Sequence, residues 1–368
     1  MSEVGIYVHV PFCLTRCGYC DFNAYAGLDA LRPRYVRALL AEAELAAPGW
    51  SDDEVVSIFL GGGTPTTLDV ADLKGVLTHL RDRFAVRDDA EVTIEANPDT
   101  VDVAKLDGLL TAGFDRLSMG AQSFDRTVLA SLERLHSPDG VRTAFAAARA
   151  TGYENVNLDL IYGAAGEGLD SWERTVQETV DLAPEHVSAY ALTIEPATPL
   201  GRKVLGGSVP APDPDLQADM FSAACDLLRD AGYRHYEVSN WAKPGYECRH
   251  NLGYWERRAY VGLGAGAHSF RDDRRWWNVR PPEEYMNRVE RGQPPMGGDE
   301  RLDPSDAYLE EVFLRLRILE GIPSSWVDAD IALPFLESGL LLEDDGSLVP
   351  TERGMLLLNE LVLALAAN

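Results

Sequence analysis

Gly5-Ile6-Tyr7-Val8-His9-Val10-Pro11-Phe12-Cys13 opens the chain on a short apolar run, and Cys17 and Cys20 follow at once. The run from Gly5 to Val10 reads as a short apolar strand. The cysteines after it are spaced Cys-x3-Cys-x2-Cys within one loop. Three thiolates this close can ligate three irons of a cubic iron–sulfur cluster, which normally takes four. The remaining iron is then open, and an open metal position is where chemistry happens. A structural zinc site would want a fourth ligand, and none stands at finger spacing downstream. A disulfide would leave one thiol over. Phe12, Tyr19 and Phe22 around the thiols can exclude water, and solvent exposure is one lever on a cluster's potential.

Further apolar runs suited to buried parallel strands lie at Val55–Leu60, Glu91–Ala96, Arg116–Gly120, Asn155–Ile161 and His186–Leu192. Amphipathic helical patterns separate them, at Arg34–Ala47, Val70–Phe84, Val103–Ala112, Val141–Ala150 and Trp172–Leu182. Strands and helices alternating in this way predict an α/β fold with a parallel sheet. Six βα units in one run predict a partial (βα)6, TIM-like barrel rather than a doubly wound sheet. A proline-rich stretch from Val209 to Pro214 precedes a helix over Asp215–Ala231 and a strand over Tyr233–Val238. A proline and glycine cluster over Gln293–Gly298 marks a linker. The tail then reads helix (Asp306–Leu319), helix (Ser325–Leu336), a hairpin turning at Asp345-Gly346, and helix (Thr351–Ala366). The expected organisation is therefore a barrel over 1–240, a barrel-closing segment over 241–295 and a small winged-helix-like domain over 296–368.

The net charge is −26, which repels phosphate backbones and argues against nucleic acid as a partner, even for a winged-helix tail. Only Lys74, Lys105, Lys203 and Lys243 are lysines, so arginine supplies nearly all the positive charge. No apolar run is long enough to span a bilayer. Met1-Ser2-Glu3 leads straight into the strand pattern without a signal-peptide pattern. With clustered thiols, this predicts a cytoplasmic protein, peripheral attachment to a membrane being the other option.

The candidate chemical residues fall at strand ends, where a βα barrel places its site. Gly61-Gly62-Gly63-Thr64-Pro65-Thr66 follows the second strand, and glycines there let backbone approach a ligand. A plain strand-to-helix turn would read the same, but the cysteine loop after the preceding strand strengthens the reading of a site. Glu95 ends the third strand and can accept hydrogen bonds from a ligand amine or hydroxyl; an ordinary loop carboxylate is an equal reading. Gln122 ends the fourth strand and Arg134 follows it. Asp159 lies inside an apolar strand, where an unpaired carboxylate is costly. It needs a partner, either a ligand hydroxyl or an arginine such as Arg134. Gly262-Leu263-Gly264-Ala265-Gly266 is a weak dinucleotide fingerprint without a clear βαβ context. Cys225 sits on the apolar side of a helix and reads as packing.

Taken in order, these segments resemble the radical S-adenosylmethionine (SAM) superfamily, and within it the oxygen-independent coproporphyrinogen III oxidase-like family. The resemblance runs through essentially the whole chain. It implies a 4Fe–4S cluster on Cys13, Cys17 and Cys20, with SAM chelating the open iron. Position by position, it implies SAM contacts from Tyr7, Gly62, Gly63, Thr64, Glu95, Gln122, Arg134 and Asp159. It also implies an electron donor for the cluster, and a glycine-rich segment after Gly262 that closes the barrel mouth. Ala164-Ala165 depart from the leucine and proline common after the Tyr-Gly of the fifth strand.

Two sister groups share this pattern. The oxidases resemble Cys-x3-Cys-x2-Cys-x-Cys and carry an extension before the first strand; here Asp21-Phe22 follows Cys20. The HemW-type haem chaperones resemble Cys-x3-Cys-x2-Cys-Asp-Phe, and His250-Asn251-Leu252-Gly253-Tyr254-Trp255 matches their His-Asn-x-x-Tyr-Trp motif. That group implies a haem-binding protein that passes haem to acceptors such as respiratory enzymes. A histidine can ligate haem iron and aromatics can pack on a macrocycle, so His250, Tyr254 and Trp255 are candidate haem contacts, with Cys248 a possible thiolate. A hydrogen-bonded core histidine with core aromatics is the plainer reading of the same residues. A true coproporphyrinogen III oxidase, or a radical SAM enzyme with another substrate, remain the other readings of function.

Overall fold

The computed structural model describes residues 1–366. Six strands, β1 (Glu3–Val10), β2 (Glu54–Gly62), β3 (Val86–Ala96), β4 (Arg116–Gln122), β5 (Asn155–Tyr162) and β6 (His186–Ala191), lie side by side in chain order. Every neighbouring pair among them is parallel. Parallel neighbours need crossovers, and helices α1 (Arg32–Ala46), α2 (Val70–Arg83), α3 (Val103–Ala112), α4 (Pro138–Ala150) and α5 (Leu169–Leu182) supply them. Several are capped by side chains their sequences announce. Asp102 accepts from the Lys105 amide at the start of α3, and Ser137 from the Gly140 amide at the start of α4.

The strands are not apolar on both faces. Residues two apart share a face, and Ile6 and Val8, Ile58 and Leu60, Val92 and Ile94, Leu117 and Met119, and Val156, Leu158 and Leu160 form the outer set, buried in the main core. Each contributes about 1.5–3 kcal/mol by leaving water. The alternate residues, among them Tyr7, Phe59, Glu95, Arg116, Ser118, Asn157 and Asp159, line an inner cavity of about 170 Å³. The barrel therefore has an apolar outer layer and a polar interior.

After β6 the chain forms α6 (Pro214–Asp230), where Cys225 is buried as packing. It then adds β7 (Arg234–Glu237) and β8 (Asn240–Ala242), β8 lying antiparallel to β6. It next makes α7 (Arg249–Trp255) and returns to the opposite edge, where β9 (Ala259–Leu263) pairs parallel with β1. Strands β10 (His268–Arg271), β11 (Arg274–Asn278) and β12 (Met296–Arg301) extend that edge antiparallel, with α8 (Pro282–Glu290) between the last two. The twelve-stranded sheet begins at β12 and ends at β7, so the barrel is open.

The Gln293–Gly298 cluster does not stand clear of the sheet as a linker, because Met296–Arg301 completes it. The tail beyond carries a three-stranded sheet in the order β13 (Ile322–Pro323), β15 (Ser347–Pro350), β14 (Leu341–Asp344), with a core of its own around Val312, Leu316, Ile322, Leu348 and Leu361. The hairpin turns at Asp345 and Gly346 with φ of 44° and 78°, as Asp-Gly favours. The expected helix over Thr351–Ala366 is two, Glu352–Leu356 and Leu358–Leu365, broken where Leu357 leaves helical geometry.

Candidate functional site

The cysteine loop is held from several directions. Phe12 and Cys13 pair with Tyr25 and Ala26, closing its base. Asn23 donates to the carbonyls of Ala265 and Arg280, both at 2.9 Å, and accepts from the Tyr25 hydroxyl at 3.0 Å. The Leu200 amide donates to Gly18 at 2.8 Å. The segment after Gly262 thus braces this loop from beside β1. Cys13, Cys17 and Cys20 are free, half-buried thiols on one cavity of about 370 Å³. Among the described residues no group of three or more His, Cys, Asp or Glu side chains converges as a single-ion site. Thiols arranged around a cavity suit a multi-iron cluster instead. Burial raises Cys13 and Cys20 above the ordinary thiol value, so ligation of metal displaces protons there.

The same cavity collects Gly62, Gly63, Thr64, Glu95, Gln122, Arg134 and Asp159 from the ends of β2 to β5 and the loops after them. Gly62 has a φ of +108°, and a Cβ there would stand 2.4 Å from the His9 ring. Its amide donates to Glu95 at 3.1 Å. Gln122 holds a φ of 65°, sparsely populated for a residue with a side chain. At Gly120 a Cβ would fill space between Gln122, Asn97 and Arg134, so the glycine keeps that wall open. The donor set and these glycines fit a cluster with an amino-acid-like ligand above it.

The polar wiring differs from the expected pairing. Arg134 does not neutralise Asp159. It donates to Asn97 at 2.6 Å, to the Gly120 carbonyl at 3.1 Å and to Cys17 Sγ at 3.5 Å. Asp159 instead accepts from Asn157 at 2.8 Å and Ser118 at 3.2 Å, with Arg116 as the charge that favours its ionised form. Burial nonetheless raises Asp159, and burial followed by the Asp159 charge lifts Glu95 to about 8. Asn97 is a hub missed from sequence: it also donates to Thr64 at 3.0 Å. Its position between a strand end and Pro98 was the available signal.

Tyr7 is not on the wall of this cavity. It sits mid-strand in a deeper layer, its hydroxyl 2.9 Å from His9 Nδ1 and its ring stacked on Phe59. His250 lies in that layer as well, packed on Phe59 with centroids 5.2 Å apart. Its Nδ1 is 2.9 Å from Ser57 Oγ and its Nε2 3.0 Å from the Tyr254 hydroxyl. Burial, with Arg116 nearby, lowers His250 to about 3, so the ring is neutral. Both ring nitrogens are engaged, which is the hydrogen-bonded core arrangement; an axial bond to iron would require one contact to be given up. Cys248 does not offer a thiolate. It is fully buried, its Sγ 3.5 Å from Glu91, and burial pushes it up to about 12. Tyr254 and Trp255 are half-buried, and the Tyr254 ring meets Tyr260 edge-on at 4.7 Å.

Comparison with known proteins agrees with this architecture. Residues 7–179 match the radical SAM superfamily model. The heme chaperone HemW of Mycobacterium tuberculosis H37Rv is 43% identical over 367 residues, covering 98% of this chain and 94% of the relative. That of Escherichia coli K12 is 36% identical over 381 residues, with 98% of each covered. The solved structure of the E. coli coproporphyrinogen III oxidase HemN superposes with a TM-score of 0.86 over 99% of this chain and 90% of that one, at 24% identity, which shows the shared fold. The cysteine loop at the mouth of an open βα barrel and the full-length likeness together place the chain: it belongs to the HemW haem chaperone family of the radical SAM superfamily.

Proposed function

We propose that this protein binds haem and passes it to acceptor proteins, from a barrel that carries a 4Fe–4S cluster and SAM at its mouth. The observation that carries the reading is the full-length likeness to HemW chaperones, joined to Asp21-Phe22 after Cys20. Cys13, Cys17 and Cys20 would hold the cluster. Gly62, Gly63 and Thr64 would present backbone and hydroxyl to SAM, Glu95 and Asp159 would meet its positive groups, and Gln122 and Arg134 would complete the wall, Tyr7 supporting it from below through His9. When bound, the cluster and SAM supply reductive radical chemistry. Arg134 places a fixed positive charge beside Cys17 and opposes the accumulated thiolate charge.

The 1–240, 241–295 and 296–368 division serves this reading as scaffold, haem segment and cover, with β12 lent by the tail segment to the main sheet. Acceptors such as respiratory enzymes and an electron donor for the cluster complete the scheme. Nucleic acid has no place in it, given the net charge of −26. Among the described residues no helix is long and apolar enough to cross a membrane; a cytoplasmic protein meeting membrane-bound acceptors peripherally fits that.

Anaerobic reconstitution should give about four irons per chain, lost in Cys17→Ser. Iron binding unaffected by that change would sink the cluster assignment. The reconstituted protein, given SAM, a reductant and coproporphyrinogen III, should form no protoporphyrinogen while binding haem saturably in a parallel titration. Product formation would make it an oxidase.

A further inference from the structure

A second, larger cavity of about 790 Å³ opens beside the cysteine loop. Asp21 and Phe22 line both it and the cysteine cavity, so they form the shared wall. Its volume falls within the range of about 300–1,000 Å³ typical of small-molecule sites. Its floor is the antiparallel extension of the sheet. His268 on β10 is paired across the ladder with Trp277 on β11, and the two rings stack with centroids 5.6 Å apart. Trp277 lies over Gly298 of β12, where a Cβ would come within 2.6 Å of the indole. The glycine thus keeps a flat aromatic surface in place. Tyr260 and Tyr254 continue that surface toward the barrel.

We propose that iron porphyrin is held in this second cavity, with an imidazole nitrogen of His268 on the iron, Trp277 beside the macrocycle and Arg280 facing a propionate. This rests on the haem-binding reading above and moves the axial ligand away from the His-Asn-x-x-Tyr-Trp motif. Three observations carry it. His268 is exposed at the cavity wall, with neither ring nitrogen in a hydrogen bond among the described residues, whereas His9 and His250 have both engaged. Arg280 is exposed on the same cavity and forms no ion pair among the described residues. The acidic residues present, Asp21 and Glu284, leave the wall mixed in charge rather than closed to a dianionic ligand. Partial desolvation, with Arg275 and Arg280 close by, holds His268 below the ordinary histidine value, so near pH 7 it offers a lone pair. The motif itself then acts through Tyr254, which His250 fixes and which faces the cavity.

The test titrates haem into the full-length, cluster-loaded protein and reads haem-selective resonance Raman spectra alongside affinity. Wild type should give a histidine-ligated spectrum. His268→Ala should lose it and weaken binding by about tenfold or more, and added imidazole should restore the wild-type spectrum. Arg280→Gln should weaken binding several-fold with the ligation signature unchanged. Unaltered spectrum and affinity in His268→Ala, or a lost spectrum that imidazole fails to restore, would overturn the assignment while leaving haem binding intact. Wild-type protein that takes up no haem would remove the haem-binding reading itself. Equal cluster content and far-ultraviolet circular dichroism in each variant separate these outcomes from misfolding.

Discussion

Glu95 and Asp159 face one cavity from strands separated only by β4, and the first of them is lifted to about 8. Near pH 7 the pair therefore holds a proton that isolated carboxylates would have lost. A cationic ligand favours the ionised pair, so SAM, with its ammonium and sulfonium, should expel that proton on binding. Affinity should weaken as pH falls from about 8 to 6, at most about tenfold per unit, since one proton is involved. Calorimetric titration in buffers of different ionisation enthalpy measures the release, and Glu95→Gln should flatten the profile. A dissociation constant independent of pH would show that Glu95 does not meet the positive groups. That Glu95 sits at the site was legible from its strand-end position. The charge that favours ionised Asp159 was not: Arg116 reads as the first residue of an apolar strand, and only the fold shows that its side chain turns inward and is 2% exposed.

Helix α7 begins without a capping side chain of its own. Glu91 of β3 takes that place, accepting from the amides of Arg249 at 3.0 Å and His250 at 3.2 Å and from the Cys248 thiol. Those first-turn amides have no partner within the helix, and the carboxylate also balances the buried charge of Arg116. Glu91→Ala should destabilise the protein by about 1–3 kcal/mol, the cost of leaving buried donors of that first turn unsatisfied, as read by urea denaturation of the cluster-free chain. A loss below about 1 kcal/mol would mean that water replaces the carboxylate. The six barrel strands were legible because their outward residues form strong apolar signals. Strands β10 to β12 were not. Arg274-Arg275-Trp276-Trp277-Asn278 carries no clean alternation, and it is a strand because neighbours on both sides offer it ladders. The stretch over 241–295 is legible as a motif at His250-Asn251-Leu252-Gly253-Tyr254-Trp255, while the strands that follow it are not.

Across the whole molecule, burial raises several carboxyls together: Glu42, Glu167 and Glu237 to about 7 and Glu95 to about 8, all from 4.5. Above pH 4.5 the folded chain keeps protons that the unfolded chain has released, so these groups lower stability as pH rises through their folded values. His250 and His235, held at about 3 and 4 by burial, act oppositely, since only the unfolded chain gains protons below 6.5. Their contribution grows with pH and is complete above 6.5. The two sets oppose each other below 6.5, and the carboxyls act alone beyond it. The cluster-free protein should therefore melt at a lower temperature at pH 8 than at pH 6.5; differential scanning calorimetry reads this, and an equal or higher midpoint would contradict it. The bracing of the cysteine loop by Asn23 has a consequence for biosynthesis. Its two acceptors, Ala265 and Arg280, are translated 242 and 257 residues later, and β9, the outer neighbour of β1, is nearly as late. A nascent chain still on the ribosome thus displays three thiols in a loop that follows a strand lacking one flank. Assembly machinery that delivers iron and sulfide would find a finished seat only after most of the polypeptide has emerged, and until then the cell must keep those sulfurs reduced.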